Sequence, residues 1–151
     1  MHVEVALDVP FAAGDVWRLA GGYDLLPLIS TATATSGLED GGRVRVLVNR
    51  DGSILWERLV HFDDAARTLA YEIIDAKAFS GAYGTGYLGR VSILEKGEGA
   101  STFRYEADFE PAPGFSDEAA KGAVEAFAAD CVNGIARVLR LRGQEKGRGQ
   151  R

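Results

Sequence analysis

The chain has 151 residues, of which 46% are hydrophobic and 26% charged, and its formal net charge is −5. This size and composition are typical of one soluble globular domain, and they argue against long disorder and against a membrane span, which needs about 20 consecutive apolar residues. The acidic balance argues against nucleic acid as a partner, because nucleic-acid binders usually present a basic face. Residues 1–9 show no basic stretch followed by an apolar core, so we expect a cytoplasmic location.

The first quarter of the chain predicts a strand, two short helices and a second strand. Residues 2–9 alternate between apolar and polar side chains, as a half-buried strand does. Residues 11–20 predict a short helix that a glycine pair ends, and residues 23–28 predict a second short helix or turn. Residues 30–38 are rich in Thr and Ala and suit a strand.

The middle of the chain predicts a run of antiparallel strands. Alternating apolar runs at residues 43–48 and 54–62 flank Asp51-Gly52, a dipeptide typical of two-residue hairpin loops. Further strands are predicted at residues 68–75, 87–94 and 101–110.

Residues 117–141 predict one long helix, because apolar residues recur there at helical spacing and Ser116 can cap its N-terminus. At 1.5 Å per residue this helix is about 37 Å long, enough to cross a sheet. The sheet must bury its apolar face, and this helix is the large element that can cover it. We therefore predict an α+β fold in which a curved antiparallel sheet of about seven strands wraps around the C-terminal helix and leaves a cavity. The basic, Gly-rich residues 143–151 are predicted to form a flexible tail.

Metal ligands and reactive thiols are scarce. The chain has one cysteine, Cys131, and two histidines, His2 and His61. A structural zinc site takes about four Cys or His ligands, so we expect no metal. Cys131 lies in the apolar helical segment, where an activated thiolate is not expected. The glycines of residues 80–86 lack the strand–turn–helix setting of a phosphate-binding loop, so we expect no nucleotide cofactor.

This order of elements, together with several segments, resembles the START-like superfamily with its helix-grip fold. The matching segments are VPFAAGDVWRL at 9–19, GRVR at 42–45, DGSILWERL at 51–59, DDAARTLAY at 63–71 and the strands between 87 and 109. Within the superfamily the chain is most similar to the bacterial polyketide cyclase/dehydrase branch. The resemblance covers residues 2–141, implies one ligand-binding domain at 2–142, and marks the fold better than the chemistry.

Glu57 is the most informative candidate residue. If Arg50 pairs with Ser53 across a two-residue loop, Val46 faces Glu57, and the apolar side of the hairpin turns Glu57 inward. A lone carboxylate in an apolar cavity loses hydration, so its pKa should rise and it could act as a general acid or base. The alternative is a structural carboxylate held by a hydrogen-bond partner. In this register Arg45 points outward.

Tyrosines on the neighbouring strands could donate hydrogen bonds to a ligand carbonyl or enolate, or could pack in the core with their hydroxyls at the cavity edge. Tyr71 is the second candidate catalytic residue. Tyr83, in the Gly-rich segment, either gates the entrance or is exposed at the surface. The full predicted ligand-binding set is Val46, Leu59, Tyr71, Tyr87, Phe103, Tyr105, Phe127, Cys131 and Ile135.

Three functions compete. The favoured one is the binding of a small hydrophobic or aromatic molecule without covalent chemistry. The second is a cofactor-independent cyclase or dehydratase in which Glu57 moves a proton and a tyrosine steadies an enolate. The third is a regulatory protein that acts through its surface. Pairing of two copies into a homodimer is left open.

Overall fold

The computed structural model describes residues 1–149. Its elements, in chain order, are β1 (His2–Val9), α1 (Ala13–Ala20), α2 (Leu26–Ile29), β2 (Thr33–Glu39), a 3-10 turn (Asp40–Gly42), β3 (Val44–Asn49), β4 (Ile54–Asp63), β5 (Thr68–Lys77), β6 (Leu88–Glu95), β7 (Ser101–Asp108) and α3 (Asp117–Gly149). The predicted α+β architecture is confirmed: two short helices follow the first strand, and a long helix ends the chain.

The strands form one antiparallel sheet of seven strands in the order β1-β7-β6-β5-β4-β3-β2. The two strands at its edges are therefore those that flank the short helices. Strand β4 changes register against β5 at two places, between Trp56 and Glu57 and between Leu59 and His61. Such bulges bend a strand and increase its twist, which allows the sheet to curve around a helix.

Helix α3 lies against the concave face of the sheet. Its buried side chains recur every three or four residues, so they form one stripe along the helix. They are Ala120, Val124, Ala128, Cys131 and Ile135, and Ala136 is buried next to Ile135. This stripe packs on the inward side chains of the strands, among them Phe103 and Ile93, and together they form the hydrophobic core.

The β3–β4 hairpin differs from the prediction by one residue. The backbone amide of Asn49 donates to the carbonyl of Ser53 at 2.8 Å, so the loop has three residues rather than two. Asp51 stabilises this longer loop, because its carboxylate accepts from the amide and the hydroxyl of Ser53 at 2.9 and 2.6 Å. Gly52 completes the turn with a φ of +89°.

This register exchanges the two faces of β3 relative to the prediction. Arg45 lies opposite Glu57, and Val46 lies opposite Trp56. Because successive side chains alternate between faces, Arg45 points to the concave side and Val46 to the convex side. The predicted inward position of Val46 and the predicted outward position of Arg45 are therefore both wrong, whereas Glu57 does point inward.

The C-terminal segment also differs from the prediction. Helix α3 continues through Gly149, so residues 143–149 are helical where a flexible tail was predicted, and residues 150–151 lie outside the described residues. The helix continues past Leu141 although the apolar repeat ends there and Gly143, Gly147 and Gly149 disfavour a helix. Within residues 1–149, no helix combines the length and the apolar character that a membrane crossing requires.

Candidate functional site

A cavity of about 340 Å³ lies between the concave face of the sheet and helix α3. Strands β3, β4, β5 and β7 form its floor and walls, and the segments before β2, after β3 and after β5 form its rim. It is lined by Leu26, Ser30, Ala32, Thr33, Leu47, Asn49, Arg50, Asp51, Leu55, Glu57, Tyr71, Phe79, Tyr83, Tyr87, Tyr105 and Phe127.

A buried ion pair stands at the inner end of this cavity. The Nε and Nη2 atoms of Arg45 each lie 2.7 Å from Oε1 of Glu57, and the two residues are only 5% and 4% exposed. Adjacent strands position both side chains, because Arg45 and Glu57 are directly opposite in the β3–β4 register. The prediction of a lone carboxylate is therefore wrong: a guanidinium neutralises Glu57.

Two tyrosine rings hold the guanidinium of Arg45 between them. The Arg45 Cζ atom lies 4.5 Å from the centroid of the Tyr23 ring and 4.7 Å from that of Tyr71, both within the range of cation–π contacts. Tyr23 also accepts from Arg45 Nη1 through its carbonyl at 3.3 Å and donates its hydroxyl to the carbonyl of Glu57 at 2.6 Å. Burial acts to lower the pKa of Arg45, but the Glu57 carboxylate, Tyr71 and Tyr23 together outweigh it and the pKa is raised.

Of the two charged groups, the cavity contacts the carboxylate. Glu57 is among the described residues that line the cavity, and Arg45 is not. Arg45 instead borders a smaller void of about 30 Å³ deeper in the core, together with Phe103 and Cys131. Within residues 1–149, the hydrogen bonds of the Glu57 side chain are made through Oε1. Oε2 is thus available as an acceptor for a ligand.

Three tyrosine hydroxyls form a hydrogen-bonded chain beside this carboxylate. The hydroxyl of Tyr105 lies 2.5 Å from that of Tyr71 and 2.7 Å from that of Tyr87. Three hydroxyls carry three protons, and the two bonds of this chain use only two of them. At least one O–H is therefore left to donate elsewhere, and all three residues line the cavity.

Burial keeps these hydroxyls protonated. It is the largest cause of the raised pKa of Tyr71, Tyr87 and Tyr105, and the nearby Glu57 carboxylate raises the pKa of Tyr71 and Tyr87 further. Burial likewise raises the pKa of Tyr83 to about 12. The cavity therefore offers neutral phenol donors and resists the formation of an additional negative charge.

Tyr83 packs in an aromatic wall near the rim. Its ring centroid lies 4.4 Å from that of Tyr87, 5.5 Å from that of Phe79 and 6.0 Å from that of Phe109. On the other side of the rim, Asp130 of α3 accepts from the hydroxyls of Ser30 and Thr31 at 3.0 and 2.8 Å. These bonds tie the segment before β2 to the long helix.

Comparison with known proteins identifies the family. The family model for polyketide cyclase/dehydrase and lipid transport proteins matches residues 1–140. The chain belongs to this family. No curated protein sequence gives a significant match. The solved structure of XoxI from Bacillus cereus is similar at 30% sequence identity and a TM-score of 0.81, over 91% of this chain and 94% of that one.

More distant structures share the fold of this polyketide cyclase/dehydrase family member. A START superfamily protein from Mycobacterium smegmatis has 14% identity and a TM-score of 0.65, over 95% of this chain and 97% of that one. Norcoclaurine synthase from Thalictrum flavum, in complex with dopamine and hydroxybenzaldehyde, has 17% identity and a TM-score of 0.70, over 92% and 86%. The START-like helix-grip fold that the sequence resemblance implied is thus confirmed.

The structure brings most of the predicted site residues to the two voids. The main cavity is lined by Glu57, Tyr71, Tyr87, Tyr105 and Phe127, and the smaller void by Tyr71, Phe103, Phe127 and Cys131. Leu59 and Ile135 belong to the core and are not among the described residues that line either void. Val46 lies on the convex face, opposite Trp56. Their roles in ligand binding stay predictions.

Sequence reasoning missed Arg45 and Tyr23, the two residues that hold Glu57 in place. It also missed part of the apolar lining of the cavity, including Leu26, Leu47, Leu55 and Phe79. The signal for Arg45 was the Asp51-Gly-Ser53 sequence, in which an Asp side chain can cap the residue two positions later and lengthen the loop. Tyr23 lies between α1 and α2, where no periodic pattern indicates which way a side chain points.

The described cysteine and histidine side chains either lie away from the main cavity or are in a chemically unreactive state. Burial raises the pKa of Cys131 to about 12, which disfavours a nucleophilic thiolate. His61 is exposed on β4. His2, Glu4 and Glu106 come close enough to share a cation, but His2 and Glu4 are exposed, Glu106 is partly buried, and Arg104 already bridges the two carboxylates at 2.8 and 2.7 Å.

Proposed function

We propose that the protein binds a small hydrophobic or aromatic molecule in the cavity between the sheet and helix α3. The observation that supports this most directly is the cavity itself, with about 340 Å³ of space and a lining in which aromatic side chains surround a few polar groups. Ligand sites usually have roughly 300–1,000 Å³ and this mixture of apolar walls and fixed polar atoms. The volume is near the lower limit, which suits a ligand of one to three rings.

The family and the fold support the same function. The chain belongs to a family described as polyketide cyclase/dehydrase and lipid transport proteins, and a cavity that holds a small organic molecule agrees with that description. Norcoclaurine synthase, which shares the fold, is described in complex with two small aromatic molecules. The fold alone does not assign a ligand, so the proposal depends on the lining of this cavity.

Naphthalene derivatives of two fused rings provide suitable probes for calorimetric or fluorescence titration. We expect at least one neutral derivative to bind in the micromolar range, and Ala32→Trp, at the rim of the cavity, to weaken that binding about tenfold or more. Ala34→Trp is the matched control, because Ala34 is exposed on β2 and is not among the residues that line the cavity. A series in which no derivative binds, or in which Ala32→Trp and Ala34→Trp behave alike, would contradict the proposal.

A second candidate function is a cyclase or dehydratase reaction in the same cavity. Glu57 and the three tyrosines of the hydroxyl chain line the same cavity. The carboxylate could accept a proton α to a substrate carbonyl while the phenol donates to that carbonyl oxygen. The enolate carbon would then attack a second carbonyl of the same substrate, whose C=O π bond breaks, and the new alkoxide would take the proton back from Glu57. Loss of this hydroxyl together with a second α proton would release water. NMR of a poly-β-carbonyl substrate analogue would test this: turnover that depends on Glu57 supports the enzyme, and an unchanged rate in Glu57→Gln argues against it.

A further inference from the structure

The ion pair gives the cavity a specific electrostatic character. Arg45 and Glu57 cancel each other's charge, and they are both at least nine-tenths buried. Yet the guanidinium is covered by the rings of Tyr23 and Tyr71, whereas the carboxylate lines the cavity. A ligand therefore meets a hydrogen-bond acceptor in surroundings that are neutral overall.

This arrangement favours neutral ligands over anionic and cationic ones. An anionic ligand group would face Oε2 without a cation, since both sides of the guanidinium are covered. A cationic group would share one carboxylate with Arg45 and leave a net buried charge. A neutral hydroxyl avoids both costs, because it donates to Oε2 in a charge-assisted hydrogen bond.

The rim of the cavity does not alter this balance. Arg50 and Asp51 both line it, are both exposed and carry opposite charges. Asp130, next to the rim, already accepts from Ser30 and Thr31. Selection by charge therefore depends on the buried pair.

We propose that the cavity selects neutral aromatic ligands that carry a hydroxyl group, a phenol or an enol, and that this hydroxyl donates to Oε2 of Glu57. The spare tyrosine O–H of the Tyr71–Tyr105–Tyr87 chain complements it by donating to a second ligand oxygen, such as a carbonyl. This inference rests on the proposed binding function and specifies its ligand class.

Three naphthalenes of nearly equal size test it on the wild-type protein at neutral pH: 2-naphthol, 2-methoxynaphthalene and 2-naphthoate. We expect 2-naphthol to bind at least about tenfold more tightly than the methyl ether, which lacks the donor. We expect 2-naphthoate to bind more weakly than 2-naphthol by a similar factor or more. Equal affinity of 2-naphthol and its methyl ether, or tightest binding of the carboxylate, would overturn the inference.

The Glu57→Gln variant provides a second test, in which the affinities for 2-naphthoate and 2-naphthol should change in opposite directions. The substitution keeps the shape of the side chain but leaves Arg45 without its counter-charge, so 2-naphthoate should bind about tenfold more tightly than to wild type while 2-naphthol binds more weakly. The matched control is Glu39→Gln, which makes the same chemical change at an exposed position of β2 away from the cavity and should leave the order of the three ligands unchanged. A Glu57→Gln protein for which 2-naphthoate gains no affinity would contradict the assignment.

The two proposals fail in different ways. If none of the three naphthalenes binds wild type, the proposed binding function fails for ligands of this size. If they bind with equal affinity and Ala32→Trp weakens all of them, the binding function stands and the selection for a neutral hydroxyl falls. Should Glu57→Gln not fold, as judged by circular dichroism, the wild-type series alone decides.

Discussion

Gly89 makes room for the tyrosine hydroxyls at the centre of the site. A Cβ atom at this position would lie 2.6 Å from Cζ of Tyr71 and 2.7 Å from the hydroxyl oxygen of Tyr105. Both groups are ends of rigid rings that are buried and bonded to each other, so neither can move away without breaking the chain of hydroxyls. The absence of a side chain at residue 89 is thus a condition for the polar arrangement of the cavity.

We therefore predict that Gly89→Ala lowers the free energy of unfolding by about 1–3 kcal/mol, the usual cost of overpacking a core. Urea denaturation followed by circular dichroism measures it. Gly37→Ala is the matched control, since Gly37 is also on a strand but a Cβ added there would have no atom within 4 Å. It should cause no loss of stability, and an equal loss in both variants would refute the steric explanation.

At the residue scale, the inward position of Glu57 could be predicted from the sequence, but the residue that pairs with it could not. Glu57 is in phase with Leu55 and Leu59 on β4, and this alternation alone indicates the inward face. Its partner Arg45 could not be predicted from alternation, because the three-residue loop around Asp51 shifts the facing strand by one residue. A side-chain contact within a loop thus decided which face of β3 became the inner one.

At the scale of elements, helix α3 depends on a close approach to α2. The Cβ of an alanine at residue 134 would overlap the carbonyl oxygen of Ile29 and lie 2.6 Å from its Cα. These are backbone atoms, so relief requires that the whole of α2 move away from α3. Since Leu26 of α2 lines the cavity, this contact also positions part of the site.

Gly134→Ala should therefore destabilise the fold by about 3 kcal/mol or more, although alanine favours a helix over glycine. Gly122→Ala on the same helix is the control, because Gly122 is exposed and a Cβ there would have no atom within 4 Å, so this change should increase stability by about 0.5–1 kcal/mol. Thermal and urea denaturation of the two variants would show opposite signs. Stabilisation by both substitutions would mean that α2 does not pack on α3 in this way.

The elements themselves were largely predictable, because each strand and helix repeats its apolar residues with its own period. The end of α3 could not be predicted in this way. Residues 142–149 lose the apolar repeat and contain Gly143 and Gly147, but they remain helical. Apolar periodicity reports which residues are buried, and this segment is exposed through residue 147. Periodicity therefore ends where burial ends, rather than where the helix does.

At the scale of the whole molecule, the end of helix α3 and the end of the folded domain are not the same residue. Residues 141–147 are exposed on the helix, whereas Ile135 and Ala136 are buried in or against the core. The last residues that contribute substantial burial are Val138 and Leu139, which pack partly against the core. The helical extension beyond them adds length to α3 without adding to the hydrophobic core.

We predict that deletion of residues 143–151 changes the free energy of unfolding by less than about 1 kcal/mol and leaves ligand affinity unchanged, because it removes little buried apolar surface. Helical circular dichroism should still fall, since residues 143–149 are helical. A deletion from Ile135 onward is the control and should abolish folding, because it removes the last buried turn of the helix. A loss of about 2 kcal/mol or more in the shorter deletion would show that the extension docks on the domain, and the domain boundary near residue 142 would then be wrong.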